Sequence, residues 1–265
     1  MNYVWMTIFG FSFIFIMTAL GSALVFCFRK EISQKWNAIF FGFASGIMLS
    51  AAIWSLLLPA LEQITPKWGT FSFIPVIVSF LSGCSLLLFL DGIIAFIKVD
   101  KKQDNVAQQK NRVKRNKTFL AVTLHNIPEG LAVGFAFGVA RAVGTPVAYT
   151  SALLLAIGIG VQNFPEGAAI SLPLSASKSK AQAFFYGVFS GLPEPFFAVV
   201  GYFLSKQIVF LQPWLLAGSA GAMFFVVADE LLPATRQGVG ADSSVGGVAA
   251  AIGFAVMMAL DITLG

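Results

Sequence analysis

Long apolar runs separated by short polar breaks make up almost the whole chain. Eight runs can be drawn, near 4–27, 38–61, 72–96, 118–140, 147–171, 181–204, 212–234 and 244–264. Each has about the 20 residues a helix needs to cross a bilayer core of about 30 Å. A transmembrane barrel would instead alternate apolar and polar residues over about 10 positions, and no run does so. The first run lacks the short apolar core and small-residue cleavage site of a signal peptide, so it reads as a retained helix. The pattern predicts an all-α integral membrane protein with eight transmembrane helices, forming one transmembrane domain over residues 1–265.

The longest polar break, 97–117, contains the stretch KKQDNVAQQKNRVKRNK at 101–117 and almost no apolar residue. It is expected to be a flexible basic cytoplasmic loop, a solvated tether near anionic headgroups. Composition agrees with the pattern. Apolar residues make up 57% and charged residues 11% of the chain, and mean hydropathy is +0.83, values of a polytopic membrane protein rather than a soluble domain.

Charge sets the orientation. Of the 17 Lys and Arg, all but Lys67, Arg141 and Lys206 fall in the breaks after the first, third, fifth and seventh runs, including Arg29, Lys30, Lys35, Lys178, Lys180 and Arg236. The positive-inside rule makes those breaks cytoplasmic and places both termini outside. The net charge of +5 is thus a topology signal whose partner is the lipid bilayer, and no nucleic-acid partner is expected. Cys27 and Cys84 lie in different spans without CxxC spacing and are expected to be buried small apolar residues.

Acidic residues break the pattern. Asp91, Glu129, Glu166, Glu194, Asp229, Glu230 and Asp261 fall within the spans, where no Lys or Arg lies well inside. A one-signed acidic interior favours neutralisation by a cation over structural salt bridges. Asp91 and Asp261 sit near span ends, where a solvated or interfacial place is expected. Asp229 and Glu230, near the cytoplasmic end of the seventh span, fit either an exit relay or an interfacial position.

Two motifs concentrate the chemistry. His125, the one histidine of the chain, opens HNIPEG at 125–130, and QNFPEG follows at 162–167. On a helix, i and i+4 share a face, so His125 stacks with Glu129 and Gln162 with Glu166. Asn126 and Asn163 lie about 100° round and open an adjacent face. Pro128 and Pro165 each remove a backbone hydrogen bond, which a membrane tolerates where the backbone faces protein or a wet cavity. Gly130 and Gly167 permit close helix approach. Glu194, in SGLPEP at 190–195, and Met48, in GFASGIM at 42–48, fall at similar depth in the sixth and second spans.

Imidazole, thioether, carboxylate and amide oxygen together suit a borderline transition metal that binds and leaves, unlike a closed structural zinc site. Two faces sharing Glu129 and Glu166 could hold two ions. A proton- or sodium-coupled carrier of a small organic solute is the alternative that acidic, kinked helices also suit. An intramembrane zinc hydrolase would need an HExxH-like ligand set, which one histidine does not supply. No catalytic residue, enzyme activity or cofactor is expected; the metal is cargo.

The two NxPEG motifs, SGLPEP, and GFASGIML followed by WSLLLPALE in the second span resemble the ZIP (Zrt/Irt-like) metal transporters, especially their bacterial GufA-like branch, over essentially the whole chain. The resemblance implies uptake into the cytoplasm of Zn²⁺, and also of Fe²⁺, Mn²⁺, Co²⁺ or Cd²⁺, across the bacterial inner (plasma) membrane. It implies a primary site of Met48, His125, Glu129, Gln162 and Glu166, between spans 2, 4 and 5. A neighbouring site of Asn126, Asn163, Glu194 and the two shared glutamates would bring in span 6. It further implies alternating access by spans 1, 4, 5 and 6 moving against the rest, a homodimer through the rest, and Ser55 on the way in. Two departures stand out: position 163 is Asn where some bacterial members carry Asp, and the 97–117 segment has no histidine.

Overall fold

A computed structural model of the chain describes residues 3–28, 33–98, 106–175, 178–208, 210–236 and 244–264. Among these residues every regular element is helical. In chain order they are α1 (Tyr3–Ala23), α2 (Gln34–Ala51), α3 (Leu58–Trp68), α4 (Phe73–Lys98), α5 (Val106–Val143) and α6 (Pro146–Leu174). After them come α7 (Lys180–Gly191), α8 (Pro193–Ile208), α9 (Gln212–Val226), α10 (Leu232–Ala234) and α11 (Val245–Leu264). A wide π turn, Ala52–Leu57, joins α2 to α3, and a second, Val227–Leu231, joins α9 to α10. Helical rods thus lie on all eight expected apolar runs. Among the described residues six are long and apolar enough to cross a membrane by length and composition, and Phe73–Phe89 is a shorter apolar helix.

Local chemistry places the ends. Ser33 caps α2 by accepting from the Trp36 N–H, and Ser179 with Gln182 forms a capping box at α7. Gly144, at φ 74°, turns the chain between α5 and α6. The π turns share a cause. Pro59 and Pro233 lack an N–H and their rings crowd the carbonyls four residues back, at Ser55 and Asp229, so the helix widens there. Both prolines lie in the same tetrapeptide, LLPA, at 57–60 and 231–234.

The polar segment 97–117 corrects an expectation: the helix α5 begins at Val106, so only 99–105 separate it from α4, and those residues lie outside the described set. Cys27 is another correction, because it is exposed just beyond the end of α1 rather than buried. Cys84 is half-buried and its thiol reaches the Gly221 carbonyl of α9 at 3.1 Å.

The closest helix pairs are α1 with α6, α5 with α8, α2 with α11, and α4 with α9. They sort into two groups. The rods α1, α5, α6 and α7–α8 pack on one another, as do α2–α3, α4, α9–α10 and α11; the groups meet mainly where α2 touches α6 and α5 touches α9. Large apolar side chains such as Ile77, Leu81, Phe89, Phe196 and Phe203 point outward, as expected of a lipid-facing surface. The buried layer mixes many small and polar residues with large apolar ones such as Phe135, Phe137 and Ile159.

Candidate metal site

The two NxPEG motifs fall on α5 and α6, and their glycines bring two further helices against them. A Cβ on Gly130 would stand 2.3 Å from the Glu194 carbonyl oxygen, and one on Gly167 would stand 2.1 Å from that of Thr18. Only glycine allows α8 to lie so close on α5, and α1 on α6. SGLPEP breaks the rod between Gly191 and Pro193, which places Glu194 in the first turn of α8.

Six polar side chains are thereby buried together in a low-dielectric interior: Asn126, Glu129, Gln162, Asn163, Glu166 and Glu194. Gln162 Nε2 donates to Glu129 Oε1 at 2.7 Å. Asn126 Nδ2 donates to the Ser190 carbonyl at 3.0 Å. Asn163 Nδ2 donates both to Glu194 Oε2 and to the Ile14 carbonyl, the latter at 3.2 Å. Thr18 Oγ1 donates to Glu194 Oε1 at 3.2 Å. The Glu166 and Glu194 carboxylates are near enough to interact electrostatically.

Every amide nitrogen in this layer is engaged, and each bond fixes which way its amide points. The oxygens Asn126 Oδ1, Gln162 Oε1 and Asn163 Oδ1 are left buried with no hydrogen-bond partner. An unsatisfied buried acceptor costs about 1–3 kcal/mol, so a bound water or cation that satisfies these three oxygens is favoured. A cation does so, since an amide offers a metal its oxygen. Among the described residues no three His, Cys, Asp or Glu side chains stand close enough to hold a metal by themselves. His125 occupies α5 one turn before Glu129, and its side chain lies outside the described residues, as does that of Asp91.

Met48 is fully buried on α2, the helix of the opposite group that touches α6. Ser55 lies two turns further along, in the first π turn. Its hydroxyl donates to Asp261 Oδ1 at 2.7 Å, so the structure brings these two candidates together across α2 and α11 and makes Asp261 half-buried rather than simply solvated. Both line a cleft of about 380 Å³ with Trp54, Glu62 and Ser151, and the cleft reaches Gly158, one turn from Gln162. Glu230 is buried and Asp229 exposed, both within the second π turn.

Sequence reasoning missed the contribution of α1. Thr18 and Ser22 lie four residues apart in an apolar span, and Ser22 Oγ reaches the Gly167 carbonyl at 3.3 Å. That i, i+4 pair of hydroxyls was the available signal.

Comparison with known proteins identifies the family. The family model described as "ZIP Zinc transporter" matches residues 100–261. The chain belongs to the ZIP family. It is 32% identical to human zinc transporter ZIP11, covering 99% of this chain and 98% of that protein. It is 35% identical to zinc transporter ZIPB of Bordetella bronchiseptica over 95% of this chain and 79% of that one. Zinc transporter ZupT of Chlorobium chlorochromatii is 32% identical over 94% and 93%. ZIP membership makes the chain a multi-pass membrane transporter of divalent metal and not an enzyme, and removes the organic-solute alternative.

Proposed function

We propose that this chain carries Zn²⁺, together with related divalent ions such as Fe²⁺, Mn²⁺, Co²⁺ and Cd²⁺, across a bacterial inner membrane into the cytoplasm. The ion rests in mid-membrane on Met48, His125, Glu129, Gln162 and Glu166, and Asn126, Asn163 and Glu194 extend the same polar layer. The observation that carries this reading is the set of three buried amide oxygens without hydrogen-bond partners, set among carboxylates on α5, α6 and α8. Zinc in particular is supported by the names of the relatives. Breadth is supported by the mixed ligand set, which gives no single metal a closed, fitted cage.

The path follows from the two helix groups. All eight rods cross the bilayer with both termini outside, as the basic breaks require. The ion arrives through the cleft of Ser55 and Asp261 and leaves past Glu230. Access alternates as α1, α5, α6 and α7–α8 move against the second group, which also forms a homodimer contact. The four closest helix pairs all fall within one group or the other, and contact between the groups is chiefly α2 with α6 and α5 with α9, which supports that division.

Zinc uptake into proteoliposomes tests the site. His125→Ala and Glu166→Ala are expected to abolish uptake while the protein still inserts and elutes as wild type does. Uptake at the wild-type level in both variants would sink the assignment.

A further inference from the structure

Two adjacent glycines at the start of α11, Gly246 and Gly247, meet opposite surroundings. A Cβ on Gly246 would stand 2.6 Å from Thr235 Cβ and 3.4 Å from the Ala38 carbonyl oxygen, so this glycine seats α11 against α10 and α2 at once. A Cβ on Gly247 would meet nothing within 4 Å. That open side belongs to a groove of about 800 Å³, which Ala228, Leu232 and Arg236 line from one flank and Ser244, Val248 and Ala251 from the other. Small side chains at 228, 247 and 251 keep it open. Val248 and its neighbour Ile252 are both 54% exposed, so the groove faces outward and not into the bundle.

Depth sorts these residues by chemistry. One apolar span stops at Ala234, the next begins at Val245, and the second span of the chain begins at Gln34. Arg236 and Ser244 therefore lie just beyond the hydrocarbon limit, where headgroups lie. Lys35 stands at the same limit on α2, three residues before Ala38. Ala251 lies about 10 Å deeper than Ser244, at 1.5 Å per helical residue. The result is a cationic rim above an apolar trough. No acidic side chain of the described residues lines the groove, so the charge there has one sign.

We propose that this groove holds one anionic phospholipid, its phosphate on Arg236 and Lys35 and an acyl chain along Val248 and Ala251. A guanidinium fits a phosphate through two parallel N–H donors, and the Ser244 hydroxyl can add a third. A second copy of the chain suits the groove less well. Centred there about a twofold axis, it would set the same cations against each other with no acidic partner in the contact. The lipid would touch only α2, α9–α10 and α11, all of one helix group, and tie α10 to α11 where their contact is open.

The test uses full-length protein in detergent micelles holding equal parts of phosphatidylglycerol and phosphatidylcholine with the same acyl chains, weighed intact by mass spectrometry. Wild type is expected to retain one phosphatidylglycerol per chain and to gain Tm from it. Arg236→Gln weakens retention about fivefold, and Arg236→Gln with Lys35→Gln about twenty- to thirtyfold, as for one and two cations beside an anionic headgroup. Ala251→Phe fills the trough and lowers retention with both cations in place. Arg141→Gln, a cation in the last turn of α5, changes nothing. Equal retention of the two lipids by wild type, or undiminished phosphatidylglycerol in the double variant, would overturn the proposal. So would a dimer that Ala251→Phe turns into a monomer with the lipid count unchanged, because a second copy would then be the occupant. If Ala251→Phe does not fold, the two charge variants, which add no bulk, still decide. No readout involves zinc, so failure here and failure of the metal site are told apart.

Discussion

Replacing Gly130 by Ala probes the packing that brings the site together. The added methyl would stand 2.3 Å from the Glu194 carbonyl oxygen and 2.9 Å from its Cα. Ordinary contact lies near 3.5 Å, so α5 and α8 must part by roughly 1 Å. A gap of that size forfeits about a quarter to a half of each dispersion contact along the pair, and overpacking of this kind costs about 1–3 kcal/mol. For a chain of this length that corresponds to a fall in Tm of a few to about 10 °C. The same displacement carries Glu194 away from Asn163, so zinc uptake is expected to drop roughly tenfold or more, as for a 1 Å misplacement of reacting groups. Thermal unfolding in detergent and uptake into proteoliposomes read the two effects separately. Gly134→Ala, whose Cβ would meet the Ala198 carbonyl at 2.1 Å one turn along the same pair, should match the Tm loss with a smaller loss of uptake. Gly247→Ala, with nothing within 4 Å, should alter neither. A Gly130→Ala protein with wild-type Tm and uptake would refute the claim that the glycine is needed for this approach.

Two further outcomes follow from the hydrogen bonds. Gln162→Leu removes the donor on Glu129 and an amide oxygen from the ion, so zinc affinity measured by titration should fall about ten- to a hundredfold, the value of a charge-assisted bond of about 1.5–3 kcal/mol; unchanged affinity would exclude Gln162 from the site. Asp261→Asn keeps an acceptor for Ser55 but removes one of the cleft's two carboxyl groups, leaving Glu62, so KM for zinc should rise several-fold at low ionic strength and less in high salt. A KM that ignores both the substitution and the salt would take the cleft off the path.

Much of this protein is legible in one dimension because the bilayer leaves few choices. With no water in the hydrocarbon core, a long apolar run must be a helix, so the rods fall on the runs drawn from hydropathy. An acidic residue inside such a run stands out against its neighbours, and i, i+4 spacing alone stacks Gln162 on Glu166. Where polarity gives the cue without that constraint, it misleads. The 97–117 segment reads as a loop, yet its residues from Val106 onward are helical, because charged and amide side chains such as Lys, Arg and Gln form helices readily.

Only the tertiary structure decided which groups meet across helices. That Asn163 turns its NH₂ to Glu194 and Ile14, and that Ser55 pairs with Asp261 some two hundred residues away, have no signature in spacing along the chain, and the i, i+4 spacing of Thr18 and Ser22 does not say that Thr18 reaches the same carboxylate. Nor did the repeated LLPA stand out until both copies were seen to follow a widened turn. The sequence by itself determined the elements and the chemistry each carries, since the period of a helix and the expense of a buried charge are local facts. The direction in which each amide points is set by neighbours from other helices, and that direction determines what is left to hold an ion.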